Sequence, residues 1–435
     1  MVLMLDRDSG TEVGSAMRKS LVIVLVSLGA ALGTSADQSR PSGWDLRVTT
    51  VDSPAERSSG QPNLAVSSRG VLMSWVEREG VRSTLKFAER TSTGWTAPRV
   101  VASGDNWFVN WADVPSVLRL PGGTVVGHWL QKSGPGTYAY DVRLAYSTDD
   151  GKSFSPSFLP HHDGTQTEHG FVSMFPEGRG LGLVWLDGRQ MKTGPQAAMD
   201  HGGGAMTLRY GAFDGAWKQT ADMAVDLRVC ECCPTTAAMT SDGPVVAYRN
   251  RSDAEIRDIY VSRLENDKWT EGKPVAEDNW HITGCPVNGP MLAARGRDVA
   301  LAWFTGKENQ NRAFIAFSKD AGKTFGPPIR IDDESTLGRV DVEWLDDGAA
   351  IVSWIERPPA GAEFRVRRIE PNGNRSPSVA VSRISTDRTS GYPRIAKHGN
   401  ELLMAWVEAG ASSAGNRSNQ TQVRVASARV PGLSK

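Results

Sequence analysis

One short apolar run recurs seven times along the chain at nearly constant spacing. Each copy has a glycine or a turn, then three or four apolar residues, and then an aromatic residue. Consecutive aromatic positions are separated by 54, 56, 63, 55, 51 and 52 residues. These positions are Trp75, Trp129, Trp185, Tyr248, Trp303, Trp354 and Trp406. A period of this length is typical of folds built from repeated supersecondary units, so the spacing predicts seven such units.

Each unit contains four short alternating runs that predict β-strands. A run such as "SVLRLPGG" precedes the apolar copy, and runs such as "VRLAYS" and "WTEGKPVA" follow it. β-Branched and aromatic residues bounded by Gly, Pro, Asn and Asp favour strands. Four strands in about 50 residues make one blade of a β-propeller. We therefore predict an all-β fold, a seven-bladed propeller of four-stranded antiparallel blades, with six blades as the alternative.

The two ends of the repeat complement each other. The last unit ends after "QVRVASARV", its third strand, while "WDLRVTTV" at 44–51 precedes the first unit. An N-terminal strand that completes the last blade removes an exposed sheet edge. We predict this closure, and we assign residues 37–435 to a single propeller domain because no break in composition divides them.

Residues 1–36 differ in character from the repeat. Two basic residues precede an apolar segment, residues 21–33, and small residues follow it up to Ala36. This order is typical of a cleaved secretory signal, and the segment is too short for a good membrane span. We expect translation to start at Met17 and the protein to be exported, periplasmic or extracellular, without a stable membrane span after cleavage.

Charge and composition exclude one class of partner. The chain of 435 residues has 49 basic and 49 acidic side chains, so its formal net charge is zero. Nucleic-acid-binding domains carry a basic patch or stripe, and none occurs along this sequence. We therefore expect no nucleic-acid partner. The 45 glycines exceed the usual share of about 7% and favour a turn-rich fold.

Two turns share a sharper motif. "STDDGKSF" and "SKDAGKTF" both fit Ser-x-Asp-x-Gly-x-Ser/Thr-Phe. Asp and Ser side chains can bond the turn backbone, Gly supplies a left-handed position, and Phe anchors the hairpin. The motif residues are Ser147, Asp149, Gly151, Phe154, Ser318, Asp320, Gly322 and Phe325. The pattern resembles the Asp box, or BNR repeat, of sialidases and related β-propellers.

The resemblance covers roughly residues 44–430 and implies a sialidase-like propeller. It implies that the Asp boxes are structural and lie on the face away from a site. If the chain is an enzyme, the resemblance implies a glycoside hydrolase of exo-sialidase type, with three arginines, a Tyr–Glu pair and an Asp. Gln61 stands where the first arginine belongs, and sialidases usually have six blades. The catalytic motifs of true sialidases are thus unmatched, and the sequence leaves open whether the chain is an enzyme.

Candidate site residues lie in loops that precede the innermost strands or join the second and third strands. These loops meet at one end of a propeller, here called the mouth, which is the default place for a ligand. The candidate catalytic residues are Tyr392, Asp113 and Glu168. Guanidinium and amide groups there suit a carbohydrate or other small anionic ligand, although ion pairs between loops explain them equally well. These candidates are Arg189, Arg249, Arg251, Arg257, Arg339 and Asn288.

The chain's four cysteines form the most distinctive cluster. Cys230, Cys232 and Cys233 precede the innermost strand of the fourth unit, and Cys285 precedes that of the fifth. The four thiols should therefore meet at one corner of the mouth. One interpretation is disulfides, with a bridge from Cys285 to one of the other three. A second is a copper or zinc site with His169 as a further ligand. A third is redox or nucleophilic thiol chemistry.

Three functions follow from these candidates. The first is an exported sialidase-like propeller that binds, and in one version hydrolyses, a glycan or other anionic ligand at the mouth. The second is a copper-binding or zinc-binding protein, or a redox-linked one, built on the cysteines. The third is a non-catalytic interaction module with a protein partner. The first is the leading hypothesis, and the other two are its alternatives.

Overall fold

The computed structural model describes residues 44–191, 204–409 and 421–430. These residues belong to one compact unit, residues 43–435. The predicted secretory signal and the predicted start at Met17 lie outside the described residues. In the described ranges, no helix has the length and apolar character needed to cross a membrane.

Seven antiparallel sheets form the blades of a β-propeller, which confirms the fold predicted from the repeat. The first strand in the chain is β1 (Val48–Val51). The strands of blade 1 are β2 (Ser59–Ser67), β3 (Gly70–Glu79), β4 (Arg82–Thr91), β5 (Gly94–Trp95) and β6 (Arg99–Gly104). Those of blade 2 are β7 (Ser116–Arg119), β8 (Val125–Lys132) and β9 (Tyr140–Ser147). Those of blade 3 are β10 (His169–Glu177), β11 (Gly180–Asp187), β12 (Met206–Phe213) and β13 (Gln219–Val229).

The remaining four blades follow in chain order. Those of blade 4 are β14 (Thr236–Thr240), β15 (Gly243–Arg249), β16 (Ile259–Glu265), β17 (Lys268–Trp269) and β18 (Lys273–Pro274). Those of blade 5 are β19 (Met291–Arg295), β20 (Asp298–Thr305), β21 (Arg312–Ser318) and β22 (Ile329–Arg330). Those of blade 6 are β23 (Thr336–Trp344), β24 (Ala350–Glu356), β25 (Ala362–Ile369) and β26 (Val379–Ile384). Those of blade 7 are β27 (Arg394–His398), β28 (Glu401–Ala409) and β29 (Thr421–Arg429), completed by β1.

Blade 2 departs slightly from the four-stranded pattern, since an isolated bridge between Leu144 and Phe158 stands in place of its fourth strand. Two short 3₁₀ turns, Lys307–Asn309 and Arg388–Ser390, complete the regular structure of the described residues.

The ring closes as the sequence predicts. β1 pairs antiparallel with β29, with Val48 opposite Ala428 and Val51 opposite Val425. Blade 7 therefore takes its outer strand from the N-terminal side of the repeat. The innermost strands β2, β7, β10, β14, β19, β23 and β27 contact one another in sequence, and β27 contacts β2. They surround a central cavity of about 680 Å³.

Packing between blades explains the repeated apolar run. The run forms the second strand of each blade, which has neighbouring blades on both faces and is therefore apolar without alternation. Trp75, Trp185 and Trp303 are each no more than 1% exposed. Trp75, for example, belongs to the same apolar cluster as Leu403 of blade 7. Truncating a buried tryptophan of this kind typically costs ~3–5 kcal/mol of stability.

The two Asp-box turns lie between the third and fourth strand positions of blades 2 and 5. Asp149 accepts hydrogen bonds from Ser147 Oγ at 2.7 Å and from the Ser153 backbone at 2.9 Å. Asp320 makes the equivalent bonds in blade 5. Gly151 has φ 81°, and a Cβ there would lie 2.5 Å from Phe87. The turn therefore requires glycine for its conformation and for its close packing.

Candidate functional site

β-Bulges shape the mouth. Three innermost strands carry one near their start, and each bulge includes a left-handed residue that is not glycine: Gln61 (φ 54°), Phe171 (φ 53°) and Arg339 (φ 54°). Such residues are uncommon, and bulges re-aim side chains. The Phe171 N–H donates to Asp113 Oδ1 at 2.8 Å, and the Arg339 N–H donates to Asn288 Oδ1 at 2.8 Å. The bulges thus tie adjacent blades together at the mouth.

The structure brings the cysteines together between blades 4 and 5. Cys230 follows β13 directly, and its Sγ lies 3.5 Å from Cys233 Sγ and 3.9 Å from Cys232 Sγ. Cys285 lies in the loop before β19, and the Cys232 thiol lowers the pKa of Cys285. Cys230 and Cys233 are buried, Cys232 is partly buried, and Cys285 is exposed. The cluster therefore has an inner part shielded from water and an outer part open to it.

Negative charge is most stable on Cys230. Hydrogen bonds from Cys232 and Cys233 hold the pKa of the Cys230 thiol well below its usual range. Arg257 Nη1 lies 3.2 Å from Cys230 Sγ and adds an attractive charge. Burial raises the pKa of Cys233, and the hydrogen bond to Cys230 raises that of Cys232. A thiolate is the form of cysteine that binds metals and reacts.

Ion pairs hold the loop that carries these thiols. Arg257 donates to Glu231 Oε2 at 3.0 Å and to Glu255 Oε2 at 2.8 Å. Arg251 pairs with the same two acids. All four side chains are less than about a quarter exposed. The structure therefore places Arg251 and Arg257, predicted from the sequence as ligand-binding residues, in a network that positions the cysteine loop.

Arg249 and Asn288 are bound within the protein. Arg249 is 2% exposed and donates to the carbonyl oxygens of Asn288 at 2.8 and 2.9 Å, Phe304 at 2.8 Å and Arg257 at 2.6 Å. The Asn288 side chain accepts from the Arg339 backbone and donates to the Leu337 carbonyl. Both side chains therefore crosslink blades 4, 5 and 6, and their predicted role in binding an anionic ligand stays a prediction.

Arg339 and Tyr392 are also engaged. Arg339 Nη1 donates to Ser390 Oγ at 2.6 Å and to the Gly391 carbonyl at 2.9 Å, and the guanidinium lies 4.5 Å from the Trp111 ring centroid. Tyr392 is 3% exposed, and its hydroxyl donates to the Val287 carbonyl at 2.6 Å. Burial raises the pKa of Tyr392. This geometry differs from that of a nucleophile, because the hydroxyl points at a backbone carbonyl.

His169 lies in a cluster with aspartates and His161, and its predicted role as a ligand of the cysteine site stays a prediction. It is fully buried, with Nε2 3.2 Å from Asp163 Oδ2, and its ring stacks on His161. Arg189, another predicted ligand-binding residue, makes two 2.7 Å bonds to Asp187 beside this cluster. The local hydrogen bonds of the loop before β10 hold the His169 ring in this place.

A second group of proton-carrying side chains lies between blades 2 and 3. The Tyr140 hydroxyl donates to Glu168 Oε1 at 2.7 Å. Burial raises the pKa of Glu168 to about 7 and raises that of Asp113 well above its usual value. Asp113 Oδ2 has no hydrogen-bond partner among the described residues. Two of the three predicted catalytic residues, Asp113 and Glu168, therefore have raised pKa values, and the charge of Glu168 adds to the shift of Asp113.

Sequence reasoning missed Tyr140 and Asp163. Tyr140 begins β9, the third strand of blade 2, so it occupies one of the loop positions expected to line the mouth. This position in the repeat could have identified Tyr140 as a candidate site residue. Asp163 lies in the long loop before β10, where no periodicity constrains the chain. The sequence therefore carried no signal for its contacts.

Comparisons with known proteins agree on the fold alone. No protein-family model matches the chain, and no curated protein matches it. A protein of unknown function from Dyadobacter fermentans shares 14% identity, with a TM-score of 0.50 over 89% of this chain and 99% of that chain. The polysaccharide lyase Uly1 shares 11% identity, with a TM-score of 0.50 over 89% and 94%.

Sialidases also occur among the similar structures. Trypanosoma rangeli sialidase in complex with the inhibitor DANA shares 11% identity, with a TM-score of 0.43 over 78% of this chain and 57% of that chain. At these identities a structural likeness reports on fold and not on chemistry. The comparisons therefore place this chain among β-propellers whose known structures include carbohydrate-active enzymes.

Proposed function

We propose that this propeller binds a soft metal ion, copper(I) or zinc(II), at Cys230, Cys232, Cys233 and Cys285. The observation that carries the proposal is the convergence of the first three sulfurs, which all lie within 4.8 Å of one another. With metal–sulfur bonds of about 2.3 Å, two thiolates of a tetrahedral site lie about 3.8 Å apart. The sulfurs of Cys230 and its two neighbours, 3.5 and 3.9 Å apart, need little movement to reach that geometry.

The surroundings of the cluster support the same conclusion. Thiolate ligands suit copper(I) and zinc(II), and Arg257 beside Cys230 offsets part of the negative charge that several thiolates bring. The accessible Cys285 and Cys232 give a metal ion a route to the buried pair. The competing state is a disulfide, which requires one sulfur pair to close to about 2.0 Å.

Anaerobic titration of the reduced protein with copper(I), in competition with a chromophoric copper(I) chelator, tests the proposal. We expect one equivalent to bind, with affinity reduced at least ~100-fold by C230S or C233S, because a buried ligand is lost. C285S should have a smaller effect, since this thiol is at the rim. Thr240→Ser, at the far end of β14, is the matched control and should bind like the parent protein.

Two results would overturn the metal proposal. One is that the protein binds less than a tenth of an equivalent of copper(I) although all four of its thiols are reduced and reactive. The other is equal affinity in C230S, C233S and the Thr240→Ser control.

We also propose carbohydrate as a second class of ligand at the mouth, carried by the hydrogen bond between Tyr140 and Glu168 and by the carboxyl of Asp113, which lies with the Tyr140 ring beside Gly170. A hydroxyl and two carboxyls close together can exchange protons with a bound sugar, and propellers of similar fold include a polysaccharide lyase. The arginines give this proposal little support, because their donors face protein groups.

Two assays test the carbohydrate proposal. In the first assay, purified protein is incubated with a fluorogenic sialoside and the released fluorophore is measured. In the second, it is incubated with uronate-containing polysaccharides, and the unsaturated product is measured by ultraviolet absorbance. We expect turnover in one assay that E168Q and Y140F reduce at least ~100-fold, while Tyr138→Phe, at an exposed position, leaves it unchanged. Equal rates in Y140F and Tyr138→Phe, or no turnover in either assay, would refute this proposal.

A further inference from the structure

A compact group of two histidines and three aspartates lies in blades 2 and 3 and the loop between them, apart from the thiols. The histidine rings of His161 and His169 stack with their centroids 3.9 Å apart and their planes 3° apart. Both are at least 98% buried. Asp141, Asp163 and Asp187 approach these rings within 3.8 Å. Buried charged groups at this density need opposite charges or a metal ion to be stable.

One carboxylate holds both rings by one nitrogen each. Asp163 Oδ2 lies 3.1 Å from His161 Nδ1 and 3.2 Å from His169 Nε2. Its other oxygen accepts from the Thr165 backbone at 3.0 Å, so the carboxylate is fixed. A carboxylate that accepts from one imidazole nitrogen orients the other nitrogen as a metal ligand.

The opposite nitrogens face oxygen atoms or have no partner. His169 Nδ1 lies 3.3 Å from the Tyr140 carbonyl, 3.2 Å from the Thr167 carbonyl and 3.7 Å from Asp141 Oδ1. His161 Nε2 has no hydrogen-bond partner among the described residues, although the side chain is 3% exposed. One ligand atom from each of Asp141, His161 and His169 lies within 4.8 Å of the others.

We propose that this group binds a divalent cation of the zinc class at His161 Nε2, His169 Nδ1 and an Asp141 oxygen. Imidazole and carboxylate ligands suit such ions, and the two carbonyls offer further oxygens. Asp163 acts as the partner that positions both rings. Binding requires the parallel rings to open at the Asp141 side, because their lone pairs do not yet converge.

Asp187 serves as a counter-charge and not as a ligand. Its oxygens accept from the Arg189 side chain at 2.7 Å each and from Trp185 Nε1 at 2.9 Å. Arg189 therefore remains paired when the cation replaces a proton on His169. The site uses nitrogen and oxygen ligands only, so it is independent of the proposed thiolate site.

Zinc titration of a variant with all four cysteines changed to serine tests this site in isolation. We expect a melting temperature that rises with zinc concentration, and a dissociation constant at least ~10-fold weaker in H161Q and H169Q. His162→Gln, next in sequence but exposed, is the matched control and should bind zinc like its parent. Equal binding by H161Q and His162→Gln, or no response to zinc, would overturn the proposal.

A second measurement covers the case in which the serine variant fails to fold. Cobalt(II) added to the reduced, unmodified chain should give weak ligand-field bands in addition to strong sulfur-to-cobalt charge-transfer bands. H161Q should remove a part of the ligand-field bands and keep the charge-transfer bands. Ligand-field bands that H161Q leaves unchanged would contradict the site, whatever the thiols do.

Discussion

Burial beside the central cavity strongly raises the pKa of one residue, Glu343. It lies on β23 and lines the cavity with Asp341 and Arg394. Burial raises the pKa of Glu343 to about 8, the charge of Asp341 adds to the shift, and Lys397 opposes it. The folded protein therefore keeps a proton on Glu343 at pH values at which the unfolded chain, with a pKa of about 4.3, has lost it.

This difference predicts a pH-dependent effect of Glu343→Gln. Since the native state binds more protons than the unfolded state between about pH 4.3 and 8, the stability contributed by this group falls as pH rises through that window. The glutamine variant lacks this loss, so we expect its stability relative to the parent to increase by ~1–3 kcal/mol between pH 5 and pH 8. Urea unfolding at both pH values measures it.

Glu334→Gln, at an exposed position, is the control for Glu343→Gln. A relative stability of Glu343→Gln that is the same at pH 5 and pH 8 would show that the folded protein does not hold this proton.

The sequence predicts which residues reach the mouth better than it predicts their partners. The sequence placed Cys230, Cys232 and Cys233 together at the start of one innermost strand, where the structure has their sulfurs. The partners of Arg249 did not follow from the sequence, because they are carbonyls 39 and 55 residues further along the chain. A long side chain can reach any of several backbone groups, and only the packed blades decide among them.

At the scale of elements, each Asp-box turn is held by one carboxylate. Asp320 accepts from Ser318 Oγ at 2.8 Å, the Thr324 backbone at 2.9 Å and Thr324 Oγ1 at 2.6 Å. Such a turn is readable from sequence because all its partners lie within five residues. The bulges at Gln61, Phe171 and Arg339 cannot be predicted from sequence in the same way. Hydrogen bonds to neighbouring blades stabilise their left-handed conformation, and none of the three residues is a glycine that would indicate it.

Asp320→Ala should therefore destabilise the protein by ~1–2 kcal/mol, because three hydrogen bonds are lost and their donors, one backbone N–H and two hydroxyls, lose this acceptor. Lys323→Ala changes an exposed residue of the same turn and should change stability by less than ~0.5 kcal/mol. Equilibrium unfolding in urea compares the two variants. Equal stabilities would show that the Asp-box bonds do not hold the turn.

At the scale of the whole molecule, closure of blade 7 by β1 joins the two ends of the repeat. Val48 and Val51 of β1 pack against the apolar clusters of blade 7 and its neighbours. Seven blades, their order and this closure were all predicted from the period and the incomplete last unit. Regular repetition makes such features visible in sequence, since each blade repeats the same apolar pattern.

A variant lacking residues 1–52 tests the closure, because it removes β1 and exposes the edge of β29. We expect its melting temperature to fall by at least ~5 °C and its tendency to aggregate to rise. A variant lacking residues 1–36 keeps β1 and should melt like the full chain. If both truncated variants melt at the same temperature, β1 does not stabilise the ring.

The thiolate site is the central claim, and metal-edge X-ray absorption spectroscopy tests it most directly. Protein purified anaerobically and loaded with one equivalent of copper(I) or zinc(II) should show a first shell dominated by sulfur, with zinc–sulfur distances of about 2.3 Å. C230S should reduce the number of sulfur neighbours. A first shell of nitrogen and oxygen alone, with the cysteines oxidised to disulfides, would contradict the account.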